Sequence, residues 1–245
     1  MSGHSKWSTI KRQKQATDQA RGKIFTKLGN AITIAIREGG GITSPESNFR
    51  LRLAIDQAKS ANMPKENIQR AIHRALGKGT DQAVLKEMVY EGFAPRGIGV
   101  LVEGVTDNPQ RTAQAVKNVF ATHGGSLSGT GSVLYQFQKV GEIHVPITFA
   151  FDELFDVAAQ AGAQDIETTV DTHIVYASYE KLNDVKRMLE AKFIPIISSG
   201  LVYRPISPIE IKDRQEATKL IKLLESLDDL DDVHKVYVNA NFIVT

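Results

Sequence analysis

The chain has no cysteine, one tryptophan among 245 residues, and only 7% aromatic residues. The missing cysteine excludes disulfides, thiolate nucleophiles, zinc knuckles and iron–sulfur ligation together, and it suits a reducing, cytoplasmic setting. No apolar run approaches the roughly 20 residues that cross a bilayer, so no membrane partner is expected. Catalytic signatures are missing too: there is no G-x-S-x-G elbow, no H-E-x-x-H and no C-x-x-C. The six histidines (4, 73, 123, 144, 173 and 234) are scattered, with no pair at metal-ligand spacing. The expectation is a protein that is not an enzyme and carries neither metal nor cofactor.

Three stretches invite chemistry and are explained more simply. GGSLSGTGS (124–132) lacks the Lys-Ser/Thr pair of a phosphate loop and leads into a strand, so it reads as a flexible turn. Glu103 and Asp107 fall at a strand end, where Asp107 or Asn108 suits the cap of a following helix better than acid–base work. LDDLDD (227–232) lacks the interleaved glycine of a calcium loop and reads as a solvated acidic turn.

What the chain does have is charge, unevenly placed. The net charge of +2 conceals two opposite halves. Residues 1–78 hold 15 Lys and Arg against 5 Asp and Glu, net +10; the remainder holds 15 against 23, net −8. Such asymmetry points to an anionic partner for the basic half. The opening MSGHSKWSTIKRQKQATDQARGKIFTK has seven cations and one aspartate in 27 residues. It is no secretory signal, because Ile10 is followed by polar residues where an apolar core is required, and it runs without a junction into an amphipathic helix. Lys6, Lys11, Arg12, Lys14, Arg21, Lys23 and Lys27 form a string suited to phosphates, with Trp7 and His4 placed to stack on a base.

Apolar periodicity organises the rest. Ile24, Leu28, Ala31, Ile32, Ala35 and Ile36 make one stripe of a helix over 22–38, ended by Gly39-Gly40-Gly41. A second helix is expected from Ser44-Pro45-Glu46, and a third after Asn62-Met63-Pro64 that buries Ile68, Ala71, Ile72, Ala75 and Leu76. The third helix turns Arg70, Arg74 and Lys78 outward as a basic ridge, with Gln69 the one candidate base reader. Strands follow at 87–93, 97–106 and 132–138, with a helix from Asp107-Asn108-Pro109 to about His123. From 142 the order is β-α-β-β-α-β, the ferredoxin-like unit. A last helix (213–227) and strand (233–239) are left to complete the middle domain. The expected fold is α+β with three domains: 1–79 helical and basic, 80–141 plus 206–245 α+β, and 142–205 ferredoxin-like and inserted.

With these residues in view, the sequence resembles the YebC family, also called the probable transcriptional regulatory proteins, whose mitochondrial relatives are translational activators of a cytochrome oxidase subunit. The resemblance lies in MSGHSKW (1–7), RGKIFTK (21–27), GGG (39–41), ANMPKENIQRAI (61–72), YEGFAP (90–95), TDNPQRT (106–112) and GGSLSGTGSV (124–133), in order along nearly the whole chain. Two positions depart from the pattern: Asn48-Phe49 stands where Asn-Pro is usual, and Pro109 replaces a polar or basic residue. The resemblance implies the same three-domain organisation, no enzyme activity and no cofactor. It implies a DNA-binding transcription regulator or, alternatively, a ribosome-associated factor that binds rRNA or tRNA and relieves stalling at proline-rich stretches. The acidic domains would meet a protein partner. Candidate nucleic-acid contacts are Lys6, Trp7, Lys11, Arg12, Lys14, Arg21, Lys23, Lys27, Arg70 and Arg74. Changing Lys11, Arg12 and Lys14 together to Glu is expected to weaken binding to any nucleic acid while leaving the circular-dichroism spectrum unchanged, as filter binding at low salt would report.

Overall fold

The computed structural model describes residues 18–77 and 85–243. Three helices open it: α1 (Asp18–Glu38), α2 (Phe49–Ser60) and α3 (Lys65–Ala75). Ile32, Ala35 and Ile36 of α1 pack with Leu51, Ala54 and Ala58 of α2 and with Ile68 and Ala71 of α3. The glycine run ends α1 as expected, with Gly40 and Gly41 in the left-handed region at φ 69° and 82°. The second helix does not begin at Ser44-Pro45-Glu46. Those residues form a turn, and buried Asn48 is the cap, its Oδ1 accepting from the Leu51 amide at 3.0 Å. The amide group of Asn48 also donates to the carbonyls of Ala35 (2.8 Å) and Ile42 (3.1 Å), so one side chain starts α2 and closes α1. Leu76, expected in the core, is exposed just past the end of α3.

The middle domain is a four-stranded antiparallel sheet in the order β3-β1-β2-β9: β1 (Lys86–Ala94), β2 (Ile98–Thr106), β3 (Ser126–Ser128) and β9 (Val233–Val238). Helices α4 (Pro109–Thr122) and α7 (Arg214–Asp228) cover one face, burying Val116, Phe120, Leu220 and Leu224 against Tyr90, Val100, Val102 and Val236. The short strands β8 (Ile209–Ile211) and β10 (Ala240–Phe242), which periodicity misses, form a parallel pair beside it. The T-D-N-P-Q-R-T segment is a joint. Asn108 caps α4 by accepting from the Arg111 amide at 3.1 Å. Asp232, just before β9, takes Thr112 Oγ1 (2.6 Å), Thr106 Oγ1 (3.2 Å) and the Arg111 guanidinium (2.9 Å). Partial burial works against the Asp232 charge, yet these donors outweigh it and hold its pKa below the ordinary value.

The inserted domain has the strand order β5-β6-β4-β7, the ferredoxin-like arrangement. Its elements are β4 (Phe137–Pro146), α5 (Phe151–Ala161), β5 (Asp165–Thr168), β6 (Thr172–Ser178), α6 (Leu182–Ala191) and β7 (Ser198–Pro205). Leu154, Ala158, Val185 and Leu189 of the two helices pack on Ile143, Val145 and Val175. One strand expectation changes here. SVLYQFQ is not a separate strand: Leu134–Gln136 is a short 3-10 turn, and a single strand runs from Phe137 through the position where a new one was expected. The cause lies in Glu91, 2% exposed on β1. Its carboxylate accepts the amides of Gly131 (2.6 Å), Val133 (2.6 Å) and Leu134 (2.8 Å), which folds the glycine-rich stretch back before a strand can start. That stretch is therefore an anchored loop with a three-residue strand inside it, not a flexible turn.

Burial raises the Glu91 pKa, but the three amide donors more than offset this, leaving it below 4.5. A depressed carboxylate pKa adds stability that is complete above the unfolded value and lost as pH falls through the folded one. Glu91→Ala should therefore destabilise the protein by about 3 kcal/mol near pH 7, from buried donors left without an acceptor. The gap from wild type should narrow below about pH 4.5, and denaturant titrations at pH 7 and pH 4 would show both.

Candidate nucleic-acid interface

Of the residues expected to meet nucleic acid, Lys6, Trp7, Lys11, Arg12 and Lys14 lie outside the described residues, as do His4 and Lys78. The others lie on α1 and α3 and do different things. Lys23 and Lys27, one helical turn apart, reach the acidic turn that follows α7. Lys23 Nζ donates to the Asp229 carbonyl at 3.0 Å and lies 3.6 Å from the Asp231 carboxylate. Lys27 Nζ donates to the Asp228 carbonyl at 2.5 Å, with its side chain only 15% exposed. The LDDLDD turn is thus no free acidic loop: it joins α1 through these lysines and α4 through Asp232.

Arg70 is exposed and donates to Asn67 Oδ1 within its own helix. Arg74, expected on the same outward ridge, instead turns toward α1. Its guanidinium donates to Asn30 Oδ1 at 2.8 Å and to Thr33 Oγ1 at 3.1 Å, and Thr33 is 0% exposed. Gly29 lies in the same seam, where an added Cβ would make ordinary contacts of 3.8 Å with Ala71 and the Arg74 guanidinium. Arg21 is exposed at the start of α1.

Helix α2 is committed elsewhere. Leu53 enters the core of the inserted domain, Asp56 accepts from Lys186 Nζ at 2.5 Å, and Gln57 donates to the Ser199 carbonyl at 3.1 Å. Arg50, unassigned from sequence, makes a two-pronged contact with Glu87 of β1 (2.6 and 2.7 Å) and also bonds Glu38. In a helix-turn-helix the first helix crosses the DNA backbone while the second enters the groove. The α2 face is instead spent on protein contacts.

Two hollows open beside α1, one against the link between α2 and α3 and one against α3, sharing Gly22 and Phe25 in their walls. One is completed by Arg21, Ala61 and Asn62, while Asn67, Arg70 and Arg74 help line the other, of about 340 Å³. Phe25 carries no charge and falls beside the expected Ile24–Leu28–Ile32 stripe, so neither charge nor that stripe marks it. The signal was the spacing of Gly22, Phe25 and Gly29, which share one face of α1 at i, i+3 and i+7. A third cavity, of about 150 Å³, lies where all three domains meet, with Arg50, Glu87, Glu103 and Lys235 in its wall. Among the described residues no group of three or more His, Cys, Asp or Glu could hold a metal ion. None of the described helices is long and apolar enough to cross a membrane.

The chain matches two family models: the TACO1/YebC protein N-terminal domain over residues 5–78, and the TACO1/YebC second and third domain over residues 85–240. A "probable transcriptional regulatory protein" of Aquifex aeolicus is 44% identical over 240 residues, covering 98% of this chain and 95% of that one. Another of that name from Chloroflexus aggregans is 46% identical over 242 residues, with 98% and 95% covered. The crystal structure of a conserved hypothetical protein from Aquifex aeolicus superposes with a TM-score of 0.84 at 43% identity, covering 93% of this chain and 92% of the other.

The two arginines of α3 should separate cleanly on substitution. Arg74→Ala is expected to cost about 1–2 kcal/mol, because it strips a charged donor from Asn30 and from buried Thr33. Arg70→Ala should stay within about 0.5 kcal/mol, as a surface change. Thermal denaturation of the two variants side by side would show it.

Proposed function

Because the chain belongs to the TACO1/YebC family, we propose that it is a non-enzymatic regulator of gene expression that binds nucleic acid through its N-terminal domain. The observation that carries this reading is the concentration of +10 net charge in residues 1–78 of a chain whose remainder is net −8. Exposed cations of this domain, Arg70 among them, release counterions on meeting phosphate, which gives affinity with little sequence code. The name shared by its relatives, "probable transcriptional regulatory protein", favours DNA and transcription. The acidic domains supply the surface for a protein partner, and the function belongs in the cytoplasm.

A second reading, a translation factor bound to rRNA or tRNA on the ribosome, is favoured by one specific feature. With Leu53, Asp56 and Gln57 of α2 occupied by the inserted domain, the α2–α3 pair is poorly placed to dock on duplex DNA as a helix-turn-helix. Phosphate-rich RNA of irregular shape asks for no such docking.

Co-sedimentation with ribosomes from the same cells, at low and raised salt, tests the proposal and parts its two forms. Salt-sensitive binding that is lost when Lys11, Arg12 and Lys14 become Glu supports the ribosomal form. Absence from ribosomes, together with competition-resistant binding to one promoter fragment, supports the transcriptional form. Failure to bind ribosomes, duplex DNA or RNA at low salt overturns both.

A further inference from the structure

The inserted domain turns toward solvent an apolar patch that its own core does not use. Phe151 and Phe155, one turn apart on α5, are 42% and 51% exposed. Their ring centres lie 6.1 Å apart, and Phe151 rests 5.6 Å from the buried ring of His173 on β6. His173 is itself fixed, with Nδ1 hydrogen-bonded to Thr168 Oγ1 (2.9 Å) and Nε2 to the Phe149 carbonyl (3.2 Å). Phe151 is thus seated on a ring that cannot give way. Pro146 of β4 stands opposite Thr172 of β6, which brings the loop after β4 to the turn before β6. Across that junction the Ile147 amide donates to the Asp171 carbonyl at 3.2 Å. Ile147 and Val170 add apolar surface there, Val170 being 77% exposed.

The charge beside these rings is of one sign. Asp152, Glu153 and Asp156 are exposed on α5, and the helix holds no Lys or Arg. Asp152 lies three residues before Phe155 and four before Asp156, so the acids run as a row beside the rings. Among the described residues, none of these three carboxylates is in an ion pair. The positive end of the helix accounts for acids in its first turn, but Asp156 lies beyond that turn. Residues 142–205 together hold ten Asp and Glu against five Lys and Arg. The phosphates of a nucleic acid or an anionic lipid surface would be repelled here. A second copy docked face to face would set the α5 acids against their own kind. An arginine satisfies both features: its flat guanidinium stacks on a phenyl face while its N–H groups reach a carboxylate. We propose that the Phe151–Phe155 face of α5 docks an arginine-rich segment of a basic protein, guanidinium groups over the rings and Asp152 and Asp156 as counter-charges. This rests on the reading above that the acidic domains meet a protein partner, and it gives that partner a chemistry and a place.

The test uses the full chain and a fluorescein-labelled peptide of Arg-Leu-Ala repeats, followed by anisotropy at physiological salt. Peptides of Lys-Leu-Ala and Gln-Leu-Ala repeats serve as comparison probes. Phe155→Ala should weaken the arginine peptide about threefold, the scale of one exposed cation–π contact. Asp152→Asn combined with Asp156→Asn should weaken it about fivefold. Glu180→Gln, exposed beyond the far end of β6, should change nothing. Melting temperatures check that each variant folds. The lysine peptide should bind more weakly than the arginine peptide, and the glutamine peptide should not bind. The proposal is overturned if Phe155→Ala and the double Asn variant hold the arginine peptide as wild type does; a protein-binding surface then stands elsewhere on the chain without this site. Equal affinity for lysine and arginine peptides also overturns it, because bare charge then suffices. So does self-association in sedimentation equilibrium that Phe155→Ala abolishes, since the occupant is then a second copy. No binding of either cationic peptide by the wild type sinks this site and the protein-partner reading together. Nucleic-acid binding, measured on the same variants, should match wild type throughout; its loss in Phe155→Ala would place the rings in a different site and overturn the proposal.

Discussion

Each four-stranded sheet in this protein has helices on one face only, so each is left with a second face rich in apolar side chains. The architecture depends on how that surplus is buried: the two sheets place their second faces together. Leu101 and Tyr237 of the middle domain meet Val140, Ile174, Tyr176 and Val202 of the inserted one. Burying each aliphatic side chain contributes about 1.5–3 kcal/mol, which makes this seam a core shared between domains. Polar groups inside it are paired. Tyr237 donates to Glu103 at 2.7 Å, and the Arg204 guanidinium sits 4.1 Å from the centre of the Tyr176 ring while bonding Asp165 and Glu167. Burial raises the pKa of both tyrosines, so both keep their protons as donors.

The helical domain is then locked onto this two-sheet body at several points of different chemistry. Leu53 supplies apolar contact, Arg50 an ion pair with Glu87, and the α2 side chains hydrogen bonds to β7. Lys23 and Lys27 add a fourth contact through the acidic turn. Surface ion pairs of this kind contribute little each, about 0–1 kcal/mol, so apolar burial fixes the attachment and the charges set its orientation. Arg21 at the start of α1 and Arg70 on α3 stay exposed.

Much of this was legible in the amino-acid sequence, and the places where it was not share a cause. Apolar periodicity located all seven described helices, because an amphipathic stripe is a local property. The β-α-β-β-α-β order likewise read correctly, and so did the return of the last helix and strand to the middle domain. What periodicity missed depends on a partner distant in sequence. Glu91 holds a loop some forty residues away, and nothing near Leu134 announces that its amide is taken. Asn48 replaced Ser44 as a cap because the carbonyls of Ala35 and Ile42 also needed its amide group. Charge counting assigned Lys27 and Arg74 to phosphate by residue type alone, whereas direction decides: one points to Asp228, the other to Thr33. Phe25 lies off the expected Ile24–Leu28–Ile32 stripe, yet it packs partly against the helical core.

The interruption of the middle domain has a consequence for how the chain is made. Strand β2 pairs with β1 on one side and with β9 on the other, and β9 follows the whole inserted domain in the chain. The inserted domain starts and finishes at neighbouring points, Phe137 opposite Pro205, so it can close as soon as β7 emerges. As synthesis proceeds from the N-terminus, the older half of the middle sheet must wait with the β2 edge bare and half its helical cover missing. Unpaired edges of this kind recruit other strands. The order of completion therefore runs against the order of synthesis: the domain begun second is finished last, and its safety during growth depends on how quickly the inserted sheet takes up Leu101.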